Sequence, residues 1–272
     1  MKLAFSALFL GILFTACQKD ETTTNDLSTD QMVASLDQAT ADDLIEDVDV
    51  QVDDAIETRG GGNSGGCPVI TFSPNDGSYP RTITIDYGTD GCPGPGGRIR
   101  KGQIVVTLSD TLIQPGATRT VNFVDFYIDD AHVEGVRTWT NQGFDVNGNI
   151  TIHRTVVGGK ITFPNGDIVT WDADHTMTQV QGGNTPLILL DNVFEITGGS
   201  TGVNRNGKAW TVTITQPLVK KTGCPWFVSG VKSLTVDGKT VSIDYGSGNC
   251  DNKAVVTLPN GNQHEIVIKK WW

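Results

Sequence analysis

The chain has 272 residues, 38% hydrophobic and 19% charged, a balance that fits one or two globular domains and excludes a disordered or fibrous chain. Its formal charge of −11 is concentrated: residues 18–58 hold thirteen acids against one base, Lys19, while residues 59–272 are electrically balanced. No dense Lys/Arg face remains to neutralise phosphates, so nucleic acid is not an expected partner.

At the N-terminus, Lys2 precedes an uncharged apolar run from Leu3 to Phe14, too short for a permanent membrane helix. Residues 1–16 therefore read as a cleaved export signal, and the cut falls before a thiol in Leu13-Phe14-Thr15-Ala16-Cys17. This arrangement resembles a bacterial lipoprotein signal, with Phe14 where Leu is usual. The resemblance implies that Cys17 carries acyl chains such as palmitate and begins the mature protein. Gln18-Lys19-Asp20-Glu21 then resembles the acidic export tag of surface-exposed Bacteroidota lipoproteins. It implies an outer-membrane protein, lipid-anchored and facing the exterior, with the membrane as partner through Cys17. The remainder is similar to uncharacterised β-rich proteins of that group, which carries no function across.

Residues 17–66 read as a lipidated acidic tether. Thr22-Thr23-Thr24-Asn25-Asp26 opens a stretch with too little apolar surface to offset its ordering entropy. Met32, Val33, Leu36, Leu44, Ile45 and Val48 have the spacing of a short amphipathic helix capped near Asp30 or Asp42. The density of negative charge argues against its standing alone, though a partner would support it. Gly60-Gly61-Gly62-Asn63-Ser64-Gly65-Gly66 reads as a joint, and a coil from residue 18 to 66 would reach about 40 Å. The expectation is a stalk that lifts residues 67–272 clear of the membrane.

From Cys67 onward, apolar residues alternate with a period of two, as in Thr82-Ile83-Thr84-Ile85-Asp86-Tyr87 and Thr211-Val212-Thr213-Ile214-Thr215. Asn147-Gly148, Asn165-Gly166, Asn206-Gly207, Asp237-Gly238 and Asn260-Gly261 separate such runs, as tight hairpins require. The predicted class is all-β: an antiparallel meander closed as a β-sandwich or as two packed sheets. Its ends repeat one order. Cys67-Pro68, Ile85-Asp86-Tyr87-Gly88, Cys92 and Val105-Val106-Thr107-Leu108 are matched by Cys224-Pro225, Ile243-Asp244-Tyr245-Gly246, Cys250 and Val255-Val256-Thr257-Leu258. Four cysteines besides Cys17 in an exported chain suggest disulfides. Three pairings are possible, and the repeat favours Cys67 with Cys92 and Cys224 with Cys250.

Candidate chemistry is sparse. Asp172 and Asp174 share one strand face, with Trp171 and His175 on the other; paired carboxylates suit a glycosidase-like site, but exposed strand aspartates are commoner. His132, His153, His175 and His264 lack metal-ligand spacing, and Asp145-Val146-Asn147-Gly148-Asn149 reads as a turn before it reads as a calcium loop. No catalytic residue, metal or cofactor is assigned. Trp139 and Trp210, each beside hydrogen-bonding residues, are the candidates for an exposed ligand-binding face. The expected function is non-catalytic binding of an extracellular ligand, a glycan or a protein; the alternatives are a structural or adhesive surface component and an extracellular glycan hydrolase.

Overall fold

The computed structural model describes residues 29–57, 66–94, 97–183 and 191–268. The signal segment, Cys17, the tag from Gln18 to Glu21, residues 60–65 of the glycine run, and Trp271-Trp272 lie outside these residues. Among the described residues, one helix, α1 (Asp30–Glu57), precedes fourteen strands. These are β1 (Val69–Ser73), β2 (Arg81–Asp86), β3 (Cys92–Pro93), β4 (Ile99–Leu108), β5 (Thr118–Ile128), β6 (Ala131–Phe144) and β7 (Ile150–Thr162). They continue as β8 (Ile168–Gln181), β9 (Val193–Val203), β10 (Ala209–Lys221), β11 (Phe227–Val236), β12 (Lys239–Ser247), β13 (Lys253–Thr257) and β14 (Gln263–Val267).

The expected antiparallel meander is present, as one sheet in chain order with β3 paired to β4 as a side branch. The sheet is open, with β1 and β14 as its two edges. The five predicted turns each join consecutive strands, and Gly148, Gly166, Gly207, Gly238 and Gly261 all have positive φ. Both disulfides are those favoured by the repeat: Cys67–Cys92 and Cys224–Cys250, with Cα atoms 5.5 and 5.7 Å apart. In each unit the Asp of Ile-Asp-Tyr-Gly accepts a hydrogen bond from the Gly N–H at 2.8 Å, Asp86 from Gly88 and Asp244 from Gly246. The duplicated units lie toward the two edges of the sheet.

The long strands bend along a row of bulges. Register slips at Gly102 in β4, before Val136 in β6, before Gly159 in β7 and at Gly230 in β11. Gly102, Gly135 and Gly230 have positive φ, and a Cβ on Gly102 would strike the Asp125 carbonyl. Bulges of this kind increase local twist and curve a sheet. Among the described residues the sheet does not pack on a second sheet; its apolar face curls around α1, which receives side chains from β4, β5, β6, β7, β10, β11 and β12.

The sequence reading of 17–66 as a solvated tether is therefore corrected for residues 30–57. Thr29 caps α1, its hydroxyl accepting from the Met32 N–H at 3.3 Å. The helix runs 28 residues, about 42 Å at 1.5 Å per residue. Along its first half it is buried on every side: Gln31, Met32, Ala34, Ser35, Asp37, Gln38, Ala39, Thr40, Ala41 and Leu44 are all below 9% exposure. Ten acids and no base would oppose such a helix in water, but the compensating bases stand on the strands that enclose it. Leu44, Val48 and Val52, each 2% exposed or less, add about 1.5–3 kcal/mol apiece by burial.

Candidate functional site

Strand parity builds the interior. In β6, Ala131, Val133, Arg137 and Asn141 are buried, whereas His132, Glu134 and Thr138 alternate with them toward solvent. The same alternation places one base among the apolar inward residues of several strands: Arg100 on β4, Arg119 on β5, Arg137 on β6, Arg154 on β7, Lys220 on β10 and Lys232 on β11. All six are at most 8% exposed. A buried charge needs a partner, and α1 supplies one to each.

The pairing runs along the helix. Asp37 accepts from Arg205 Nε at 2.6 Å, in the β9–β10 turn. Asp42 pairs with Lys232, and the Tyr245 hydroxyl donates to the same oxygen at 3.3 Å. Asp43 pairs with Arg98, and Asp47 accepts from Arg100 Nε at 3.0 Å. Glu46 takes Arg154 at 2.9 Å and Lys220 at 3.2 Å. Asp49 receives Arg119 at 2.9 Å and also Arg137, whose second terminal nitrogen donates to the Ile45 carbonyl at 2.8 Å. Asp53 closes the series with Arg119 at 2.6 Å. Seven acids along α1 thus meet eight bases, six on strands β4, β5, β6, β7, β10 and β11 and two, Arg98 and Arg205, in the connections between strands.

Electrostatics follow from dense opposite charge in a dry interior. Burial alone would raise the Glu46 carboxyl, but the Lys220 and Arg154 charges outweigh it and hold it well below its usual range. Burial, aided by neighbouring Arg154 and Arg119, pushes the Arg137 guanidinium down to about 10. His175, buried beside Arg154 with its Nδ1 3.5 Å from Arg154 Nη2, is pushed down to about 2, by burial first and then by the Arg154, Lys232 and Arg137 charges. It is a neutral imidazole at physiological pH.

Trp139 and Trp210 do not form an exposed platform, which corrects the sequence reading. Both lie on the inward parity of their strands, because an indole covers more apolar area inside than out. Trp139 stacks beneath the Arg119 guanidinium, 3.6 Å from the ring centroid. Trp210 is 3% exposed, and its ring covers Gly202, on the strand that pairs with both Trp171 and Trp210. A cavity of about 20 Å³ lies between Leu44, Val48, Phe123 and Trp171, and another of about 10 Å³ between Gln38, His175 and Trp210, each with room for roughly one water.

The outward face has its own order. Paired residues form a single row across the sheet: Ser73, Thr82, Thr107, Thr120, Thr138, Thr155, Asp174, Gly199, Thr213, Ser233, Ser242, Thr257 and Gln263. A shorter row runs beside it through Thr118, Thr140, His153, Thr176 and Thr197. Adjacent strands lie about 4.8 Å apart, so the hydroxyls of the long row repeat at that interval except at Asp174, Gly199 and Gln263. Asp172 and Asp174 both face outward, as their spacing implied. Asp172 accepts the Gly158 N–H of the β7 bulge at 2.7 Å, and Asp174 Oδ1 lies 2.9 Å from His153 Nε2. Asp145 accepts the Asn147 and Asn149 N–H groups and closes its turn.

The ion-paired interior escaped the sequence reading, although it left a signal: a lone base repeatedly occupies an apolar-parity position, as Arg137 does between Val133 and Asn141 and Arg154 does before Val156. Among the described residues, no helix is long and apolar enough to cross a membrane. No family model, curated protein or solved structure matches this chain.

Proposed function

We propose that this chain is a lipid-anchored outer-membrane protein, displayed on the cell exterior through Cys17, whose body binds an extracellular ligand without chemistry and presents the outer face of its sheet to it. A glycan is the ligand class that fits best. The observation that carries this reading is the hydroxyl row across the outward face. Serine and threonine hydroxyls donate and accept in rotatable directions, and so match the mixed donors and acceptors of sugar hydroxyls. The concave side, where a curled sheet would ordinarily house a ligand, is filled by α1. Contacts made by single hydroxyls are individually weak, and many copies on one membrane would add avidity.

The seated helix also favours a load-bearing, adhesive role. Only twelve residues separate Cys17 from Asp30, a coil reach of about 20 Å, so the body would sit closer to the membrane than on the stalk of about 40 Å expected from the acidic sequence. Tension from a bound ligand would pass through α1 to the lipid. Cooperative rupture of its ion pairs would then set the mechanical limit.

The test is binding of the full-length chain to a panel of immobilised extracellular polysaccharides. Replacement of Thr120, Thr138 and Thr155 by Val keeps shape and strand preference while deleting the hydroxyls. The expected result is saturable binding without product, weakened at least tenfold in the triple variant at unchanged thermal stability. Binding that is indifferent to the substitutions would contradict the hydroxyl face, and product release would replace the reading with a hydrolase. Substitution of Cys17 by Ser should move the protein out of the membrane fraction.

A further inference from the structure

We propose that the cavity between Gln38 on α1, Trp171 on β8 and Trp210 on β10 is a binding site for one ordered water molecule, hydrogen-bonded to the helix and to the sheet at once. The site lies on the inner face of the sheet and does not depend on the ligand proposed for the outer one.

Residue size makes the room. Trp171 and Trp210 stand on the strands either side of β9, where each pairs with Gly202. Three small side chains, Ala41 on α1, Ala173 on β8 and Ser200 on β9, complete the wall with them. They leave a cavity of about 10 Å³, close to what a single water requires.

Polar chemistry in the wall is incomplete without an occupant. Gln38, Trp171 and Trp210 are 3%, 5% and 3% exposed, yet Gln38 Oε1 and both indole Nε1–H groups meet no hydrogen-bond partner among the described residues. Buried polar atoms of native proteins are satisfied by protein or by ordered water, and all three of these side chains border the same cavity. The Gln38 amide is oriented by its other end: Nε2 donates to Asp42 Oδ2 at 2.8 Å, so the carbonyl oxygen is the atom left over.

The wall also selects what can sit there. A cation would face two indole N–H donors and the Arg154 guanidinium, and an anion would face the Gln38 carbonyl oxygen and the Asp42 carboxylate. Water meets both demands, accepting from an indole N–H and donating to Gln38 Oε1, with the Ser200 hydroxyl turning to suit.

The test is nuclear magnetic resonance of the full-length chain with isotope-labelled tryptophan, recording magnetisation transfer from water to the indole N–H protons. A water held longer than the tumbling time gives cross-peaks of opposite sign in laboratory-frame and rotating-frame Overhauser spectra. Such a pair is expected at the Trp210 indole. It is not expected at Trp139, whose Nε1 also has no partner among the described residues but borders neither cavity. Trp171 borders both cavities, so Trp210 is the reporter. Gln38→Met keeps the side-chain length, removes the acceptor, and should abolish the Trp210 cross-peak. No cross-peak at Trp210 in the wild type would overturn the proposal, as would an equal one at Trp139, the mark of general water penetration. A Trp210 cross-peak unchanged in folded Gln38→Met would overturn it too. The wild-type comparison of Trp210 with Trp139 decides whether or not the variant folds.

Discussion

Lys232 shows how a single side chain is committed to this interior. It is 1% exposed, with Asp42 against its ammonium and the rings of Phe227 and Tyr245 at 5.3 and 5.5 Å. Burial lowers its pKa, and the Asp42 charge opposes that shift. Lys232→Met keeps the volume but strands the Asp42 carboxylate, so a loss of about 3 kcal/mol is expected in denaturant unfolding. Adding Asp42→Asn should restore most of it, since the amide still accepts from the Tyr245 hydroxyl. His175 gives the matching pH prediction. Its folded pKa of about 2 lies far below the unfolded value of 6.5, so below pH 6.5 the unfolded chain binds a proton that the folded chain refuses. Its contribution is present above 6.5 and lost as pH falls, at about 1.4 kcal/mol per pH unit. Asp37 and Asp43, raised by burial, act in the opposite sense: their folded forms bind protons more readily, so stability falls as pH rises through their window above 3.8. A comparison of unfolding between pH 7 and 5 for wild type and His175→Gln isolates the histidine, and the variant should be flatter by about one proton.

At the scale of elements, strands and hairpins were legible because their signals are local. Alternation in Thr82 to Tyr87 and the Asn-Gly turns report on neighbouring residues only, and the cysteine pairing followed from the repeat. The helix was legible in its spacing but not in its fate. Met32, Leu36, Leu44 and Val48 mark an apolar stripe, while ten acids without a base read as solvated until the bases on distant strands are placed beside them. That partnership spans sequence separations from 53 to 190 residues, which no local pattern carries. The tryptophans misled for a similar reason: Thr138 and Thr140 lie on the opposite face of the strand from Trp139, while Arg137 and Asn141, on its own face, are turned into the interior with it. The bulge row is testable at this scale. Gly102→Ala both demands positive φ of an alanine and drives a methyl into the Asp125 carbonyl, whereas Gly77, also at positive φ, has open space. Thermal unfolding should show a loss of about 2–3 kcal/mol for Gly102→Ala and about 1 kcal/mol for Gly77→Ala.

For the whole molecule, the sequence divides into an acidic segment and an electrically balanced body, and the structure shows the two as halves of one core. The division of charge that suggested separate parts is what holds them together, because the body's inward bases have no other partners of comparable number. A sheet without α1 would expose Arg119, Arg137 and Arg154 on an otherwise apolar wall, so folding and helix seating should be a single cooperative event. Amide hydrogen exchange across residues 30–57 of the full-length protein at neutral pH tests this most directly. The account predicts that amides from Leu44 to Val52 exchange as slowly as those of β4, from Ile104 to Leu108, and open only with the global unfolding free energy. Exchange at the rate of a free chain, with β4 still protected, would show a tether outside the sheet and contradict it.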